Sequence, residues 1–116
     1  MASERRLEKL SQLVKEEISE ILKRGLEFPE QNLVTVTRVE ISPDARYGAV
    51  FISILGGNHT NVLEILSKNV YNIQQMLNRR LRIRPVPKIH FALDEDELKR
   101  EGVEELLAKL KREREV

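Results

Sequence analysis

The stretch that most limits what this chain can become is a stripe of apolar residues ending in a run of cations. Val62, Ile65, Leu66, Val70, Ile73, Met76, Leu77 and Leu81 recur at intervals of three and four, so they line one side of an amphipathic helix about 30 Å long. Such a stripe must be covered by another layer. The helix empties into Arg79-Arg80-Leu81-Arg82-Ile83-Arg84-Pro85-Val86-Pro87-Lys88, and from Ile65 to Leu93 there is no Asp or Glu. A cationic window without counter-charges is the main functional clue.

With 116 residues, the chain is sized for one domain. Charged residues make up 34% and hydrophobic ones 41%, and no apolar run approaches the roughly 20 residues that span a bilayer, so no membrane role is expected. Met1-Ala2-Ser3-Glu4-Arg5-Arg6 leads straight into an amphipathic pattern without the apolar core of a secretory signal. The absence of Cys removes disulfides, thiolate catalysis and Cys-type zinc sites together, and a cytoplasmic location is expected. The net charge of +1 conceals an asymmetry, because Asp94, Glu95, Asp96, Glu97, Glu101, Glu104 and Glu105 crowd after the cationic window.

In chain order, Leu7, Leu10, Leu13, Val14, Ile18, Ile21 and Leu22 hold helical spacing, with Ser3 placed as N-cap and Gly25 where a helix would end in the left-handed conformation. Leu33 to Ile41 is β-branched and alternating, with Val34 and Val36 on one face and Thr35, Thr37, Val39 and Ile41 on the other. Ser42-Pro43-Asp44-Ala45 is turn chemistry, and Tyr47 to Leu55 is a second strand, apolar on both faces, that pairs back as an antiparallel hairpin. Gly56-Gly57 breaks that strand, either as a plain turn or as a phosphate cradle, though no Lys-Ser/Thr partner or GxGxxG spacing accompanies it. Asn61 and Glu64 resemble a capping box, and Ser67-Lys68-Asn69 is the weakest helix-forming run, where a kink is expected. Val86 to Leu93 alternates as a third strand, which Pro85 and Pro87 confine to an edge or a strand entrance. The expected organisation is a domain over 1–94 followed by an acidic, then mixed-charge, helical extension over 95–116.

Catalysis fits poorly: His59 and His90 form no nucleophile and base pair at a recognisable spacing. The Asp94-Glu95-Asp96-Glu97 cluster lacks the spacing of a calcium loop and already has a reason to exist in a first helical turn. Neither a metal nor a cofactor is expected. The basic window suits RNA better, since the planar, permanently charged fork of Arg matches phosphate oxygens. Arg79, Arg80, Arg82, Arg84 and Lys88 are the candidate RNA-binding residues, with Lys68 and Arg46 as weaker ones. Two alternatives remain open: the arginines pair with the acidic C-terminal segment, or the basic face docks an acidic protein partner. Tyr71 and Phe91 are the only aromatics near the window in sequence, which gives no support for base stacking.

Three segments carry a resemblance. Thr35-Val36-Thr37-Arg38-Val39-Glu40-Ile41-Ser42-Pro43-Asp44 looks like the T-x-T-x-V-x-(V/I)-S-x-D signature of the bacterial ribosome-binding factor A family. Ala49-Val50-Phe51-Ile52-Ser53 resembles its A-x-V-(Y/F)-(V/I)-S strand, and Leu81 to Phe91 with Asp94 is similar to its L-R-x-x-P-x-L-x-F-x-x-D segment. The resemblance implies an α+β fold of the type II KH kind: a three-stranded mixed sheet with helices on one face, in the order α-β-β-α(kinked)-α-β. It implies a monomeric, non-enzymatic factor that binds the free small (30S) ribosomal subunit and its 16S rRNA, assists late rRNA processing and serves growth in the cold. It implies no small-molecule substrate. The Ala-x-Gly kink of that family falls on Asn69-Val70-Tyr71 here, so both small residues are absent, and Gln74 stands where relatives often carry Arg.

Overall fold

The computed structural model describes residues 3–94, so the extension expected over 95–116 and its domain boundary lie outside them. The elements run α1 (Glu4–Gly25), β1 (Leu33–Ile41), β2 (Tyr47–Leu55), α2 (His59–Arg80) and β3 (Lys88–Leu93). The strands form one sheet in the order β1-β2-β3, with β1 antiparallel and β3 parallel to β2. This is the α+β, three-stranded mixed sheet expected from the sequence, with β2 at its centre. Among the described residues no helix is long and apolar enough to cross a membrane.

Both helices contribute to one core on the same face of the sheet. From α1 come Leu10, Val14, Ile18, Ile21 and Leu22, and from α2 Val62, Leu66, Ile73 and Leu77. They meet Val36, Val39, Val50, Ile52, Ile54 and Ile89 from the strands, and each such side chain contributes about 1.5–3 kcal/mol through burial. Gly48 lies in this inner row, and a Cβ there would stand only 3.0 Å from Cδ1 of Ile41, its partner across the ladder. Its glycine makes room for Ile41.

The alternation expected for β1 is corrected by a β-bulge. Val36 pairs with Ile52 and Arg38 with Phe51, leaving Thr37 as an extra residue. The phase of the strand reverses there, so Val34, Val36, Val39 and Ile41 all face the core rather than dividing between the two faces.

Three local expectations also change. The α2 N-cap is Asn58, whose Oδ1 accepts from the Thr60 amide at 2.9 Å, and not Asn61. Gly25 ends α1 without entering the left-handed region, and Leu26 continues in extended backbone. The second helix does not split at Ser67-Lys68-Asn69; it is one unbroken helix from His59 to Arg80. The Asn69 carboxamide, free to compete with the backbone, instead donates to the Ile65 carbonyl one turn earlier at 2.7 Å, without interrupting the ladder.

The Gly56-Gly57 pair is a turn built on backbone conformation. Both have positive φ, at 73° and 56°, and a Cβ on Gly56 would collide with the Gln31 carbonyl. Asn32 closes the turn by donating to the Gly56 carbonyl at 2.6 Å.

Candidate nucleic-acid interface

The end of the sheet where β1 turns into β2 is also where α2 leads into β3. The Lys88 amide donates to the Arg46 carbonyl at 2.8 Å, and Tyr47 pairs with Lys88, so the turn and the end of the basic window are joined by backbone. Within the turn, Asp44 accepts from the Ser42 hydroxyl at 2.6 Å and from the Arg46 amide at 3.1 Å. Those bonds, the hydroxyl first, hold the Asp44 carboxyl below its ordinary pKa.

The cations of the window divide into two groups. Arg84 is turned back onto α2: its guanidinium donates to the carbonyls of Leu81 at 2.6 Å, Ile83 at 3.0 Å and Asn78 at 3.0 Å. It satisfies acceptors that the end of α2 leaves open. Arg80 pairs with Glu17 of α1 at 3.2 Å and ties the two helices together. Arg79, Arg82, Lys88 and Arg46 are exposed and form no ion pair among the described residues. Lys68 is exposed as well, but it sits near the middle of α2 and away from this end. Four of the seven candidates are therefore available cations at one end of the molecule.

Gln74 holds the base on which these cations stand, a role its sequence position did not reveal. Its Oε1 accepts from the Ile89 amide at 2.9 Å, and its Nε2 donates to the Pro87 carbonyl at 3.1 Å and to Asn78 Oδ1 at 3.0 Å. One carboxamide on α2 thus fixes the entry of β3.

On the face opposite α1 and α2, the bulge presents Thr37 and Arg38 to Asp94. The Thr37 hydroxyl donates to Asp94 Oδ2 at 2.6 Å, and Arg38 reaches Oδ1 at 3.0 Å while also pairing with Glu40 at 3.2 Å. The Arg38 guanidinium lies 3.9 Å from the centroid of the Phe51 ring. Asp94 is therefore engaged in the fold, and among the described residues no group of acidic or histidine side chains is arranged to hold a metal ion.

The profile of the ribosome-binding factor A family matches residues 6–107. The chain belongs to the ribosome-binding factor A family. A ribosome-binding factor A from Protochlamydia amoebophila is 41% identical over 113 residues, spanning 95% of this chain and 86% of the relative. One from Gemmatimonas aurantiaca is 33% identical, spanning 99% of this chain and 81% of the relative. The crystal structure of ribosome-binding factor A from Thermus thermophilus superposes with a TM-score of 0.65 at 26% identity, covering 75% of this chain and 94% of that one. A homology model of the Thermus thermophilus factor, fitted into the cryo-EM map of a 30S complex, gives a TM-score of 0.64 at 27% identity over 72% of this chain and 90% of that one.

Within this ribosome-binding factor A fold, the positions expected to form a kink are ordinary helix. Asn69 and Val70 are half-buried and Tyr71 projects to solvent at 71% exposure. No small residue is needed there, because among the described residues nothing packs against the outward side of that turn closely enough to exclude Tyr71.

Proposed function

We propose that this protein is a non-enzymatic assembly factor that binds the free small ribosomal subunit through its 16S rRNA and assists late maturation of that RNA. It acts in the cytoplasm, as a monomer, and matters most for growth in the cold. The observation that carries this reading is the group of exposed cations Arg79, Arg82, Lys88 and Arg46 at one end of the sheet, in a chain of the ribosome-binding factor A family. The Thermus thermophilus relative placed in the map of a 30S complex supports the choice of partner.

Chemically, the site is suited to phosphates. Four cations that each neutralise one phosphate release about four counterions, so the logarithm of the binding constant falls with that of salt concentration at a slope near −3. The backbone beneath them is held by Gln74 and Arg84, so the ordering cost of binding falls on the cationic side chains rather than on the chain that carries them.

Co-sedimentation with isolated small subunits, large subunits and whole ribosomes over a salt series tests this. Salt-dependent binding confined to free small subunits is the expected result. Equal binding to all three reduces the patch to a nonspecific polycation, and no binding overturns the reading in favour of an acidic protein partner.

A further inference from the structure

The face of the sheet opposite α1 and α2 carries a feature that the basic window does not use. Along β2, the outward row reads Tyr47, Ala49 and Phe51, an aromatic residue, a small one and a second aromatic, with successive members about 7 Å apart. Phe51 is already covered by Arg38. Tyr47 is 55% exposed, and among the described residues no cation stacks on its ring.

Strand pairing places the rest of the constellation. Tyr47 lies beside Lys88, and Ala49 lies between Glu40 of β1 and His90 of β3. An open depression of about 270 Å³ sits over Ala49, lined by Glu40, Ile41, Ser42, Tyr47 and His90. Arg46 precedes Tyr47 in the chain and its carbonyl accepts from the Lys88 amide, so two exposed cations belong to the residues joined at this corner of the sheet. Sequence reasoning dismissed base stacking because Tyr71 and Phe91 were the nearest aromatics in the chain. The fold instead brings Tyr47, some forty residues from Lys88, to its side.

We propose that Tyr47 and His90, over the floor made by Ala49, form a stacking site for an unpaired RNA base whose flanking phosphates are held by Lys88 and Arg46. This deepens the RNA-binding reading and rests on it. An aromatic ring on an open sheet face beside cations is what single-stranded RNA uses, because an unstacked base has an apolar face to bury and a phosphate on either side. The site is charge-complementary to RNA through Lys88 and Arg46. A paired helix cannot use it, since its bases are already stacked on one another. The carboxylate of Glu40, at the rim, adds an acceptor for an exocyclic amino group and favours adenine or cytosine over uracil.

The test uses the absence of Trp and the presence of only two Tyr in the chain. In the full-length Tyr71→Phe protein, Tyr47 is the sole strong fluorophore, and titration with single-stranded oligoadenylate should quench it saturably, whereas inorganic polyphosphate should not. Tyr47→Ala should weaken binding of the oligonucleotide by about 5- to 150-fold, the range that loss of one base–aromatic stack produces, with the salt slope unchanged. Tyr47→Phe should restore the affinity and controls for folding. Lys88→Glu should lower both affinity and slope. Equal quenching by polyphosphate, or full affinity in Tyr47→Ala, overturns the stacking site while leaving the cationic interface standing. Failure of the parent protein to bind either RNA or small subunits overturns the RNA-binding reading together with it.

Discussion

Replacing Gln74 with Met keeps the length and most of the volume of the side chain while deleting its three polar contacts. The Ile89 amide then loses its acceptor and the Pro87 carbonyl its donor, and both residues are buried, with Ile89 only 3% exposed. An unsatisfied buried group costs about 1–3 kcal/mol, so the pair should cost about 2–6 kcal/mol. Against a total stability of about 5–15 kcal/mol for a domain of this size, that is a large fraction. The midpoint of thermal unfolding should fall by about 8–24 °C, and the urea midpoint should fall with an unchanged slope. Hydrogen exchange should show early loss of protection at Ile89, while amides in the β1–β2 hairpin keep theirs. Gln74→Glu makes a separate check, since its carboxylate still accepts from Ile89 but meets the Pro87 carbonyl as a second acceptor. A Gln74→Met protein whose stability lies within about 0.5 kcal/mol of the parent's, the range of an inconsequential surface change, would refute the reasoning, and β3 would then be anchored by its pairing with β2 alone.

Other perturbations separate the two groups of arginines. Arg79→Glu with Arg82→Glu should lower affinity for small subunits at least about tenfold and flatten the salt slope by about 2, with the unfolding temperature unchanged. Arg84→Ala should leave that slope intact and cost about 1 kcal/mol of stability through the released carbonyls of Asn78 and Leu81, seen as faster exchange at the end of α2. The lowered pKa of Asp44 makes its turn a source of stability that is complete above the ordinary aspartate value and lost as pH falls through the depressed value in the folded protein, below pH ~4. A pH series of unfolding temperatures should therefore be flatter in that range for Asp44→Asn. Thr37→Val removes the hydroxyl that donates to Asp94 and should destabilise by about 1–3 kcal/mol in chemical unfolding.

Much of the scaffold was legible because burial imposes a period. The stripes of α1 and α2 and the inner row of β2 each follow from where water must be excluded, and the observed core takes Leu10, Val14, Ile18, Ile21 and Leu22, Val62, Leu66, Ile73 and Leu77, and Val50, Ile52 and Ile54 from them, while Leu13, Tyr47 and Leu55 stay exposed. What the pattern could not show were interactions set by distant parts of the chain. The alternation of β1 fails at Thr37 because an inserted residue changes phase without a local signal beyond a threonine that belongs equally well on either face. Counting arginines could not separate free cations from engaged ones, because whether Arg84 projects to solvent or folds onto its own helix depends on where the chain turns after Leu81. Gln74 stands out in the sequence only as a departure from the Arg that relatives often carry, and the position of Pro87 and Ile89 is what gives it a role. Tyr47 reads from the sequence only as part of the second apolar face of β2, because its neighbours on β3 are supplied by a parallel pairing that no window of sequence contains.

The bulge in β1 also decides which alignments of the hairpin are possible. Because Val34 and Val36 stand in one phase of the strand and Val39 and Ile41 in the other, a straight ladder in any alignment turns two of the four toward water. Only an extra residue between Val36 and Arg38 serves all of them, so the hairpin is keyed to a single alignment. The same irregularity interrupts the outer border of β1, which lies at the edge of the sheet among the described residues. A regular strand from another molecule cannot follow that border along its length, so the feature that aligns the hairpin also keeps neighbouring copies from adding themselves to it at high concentration.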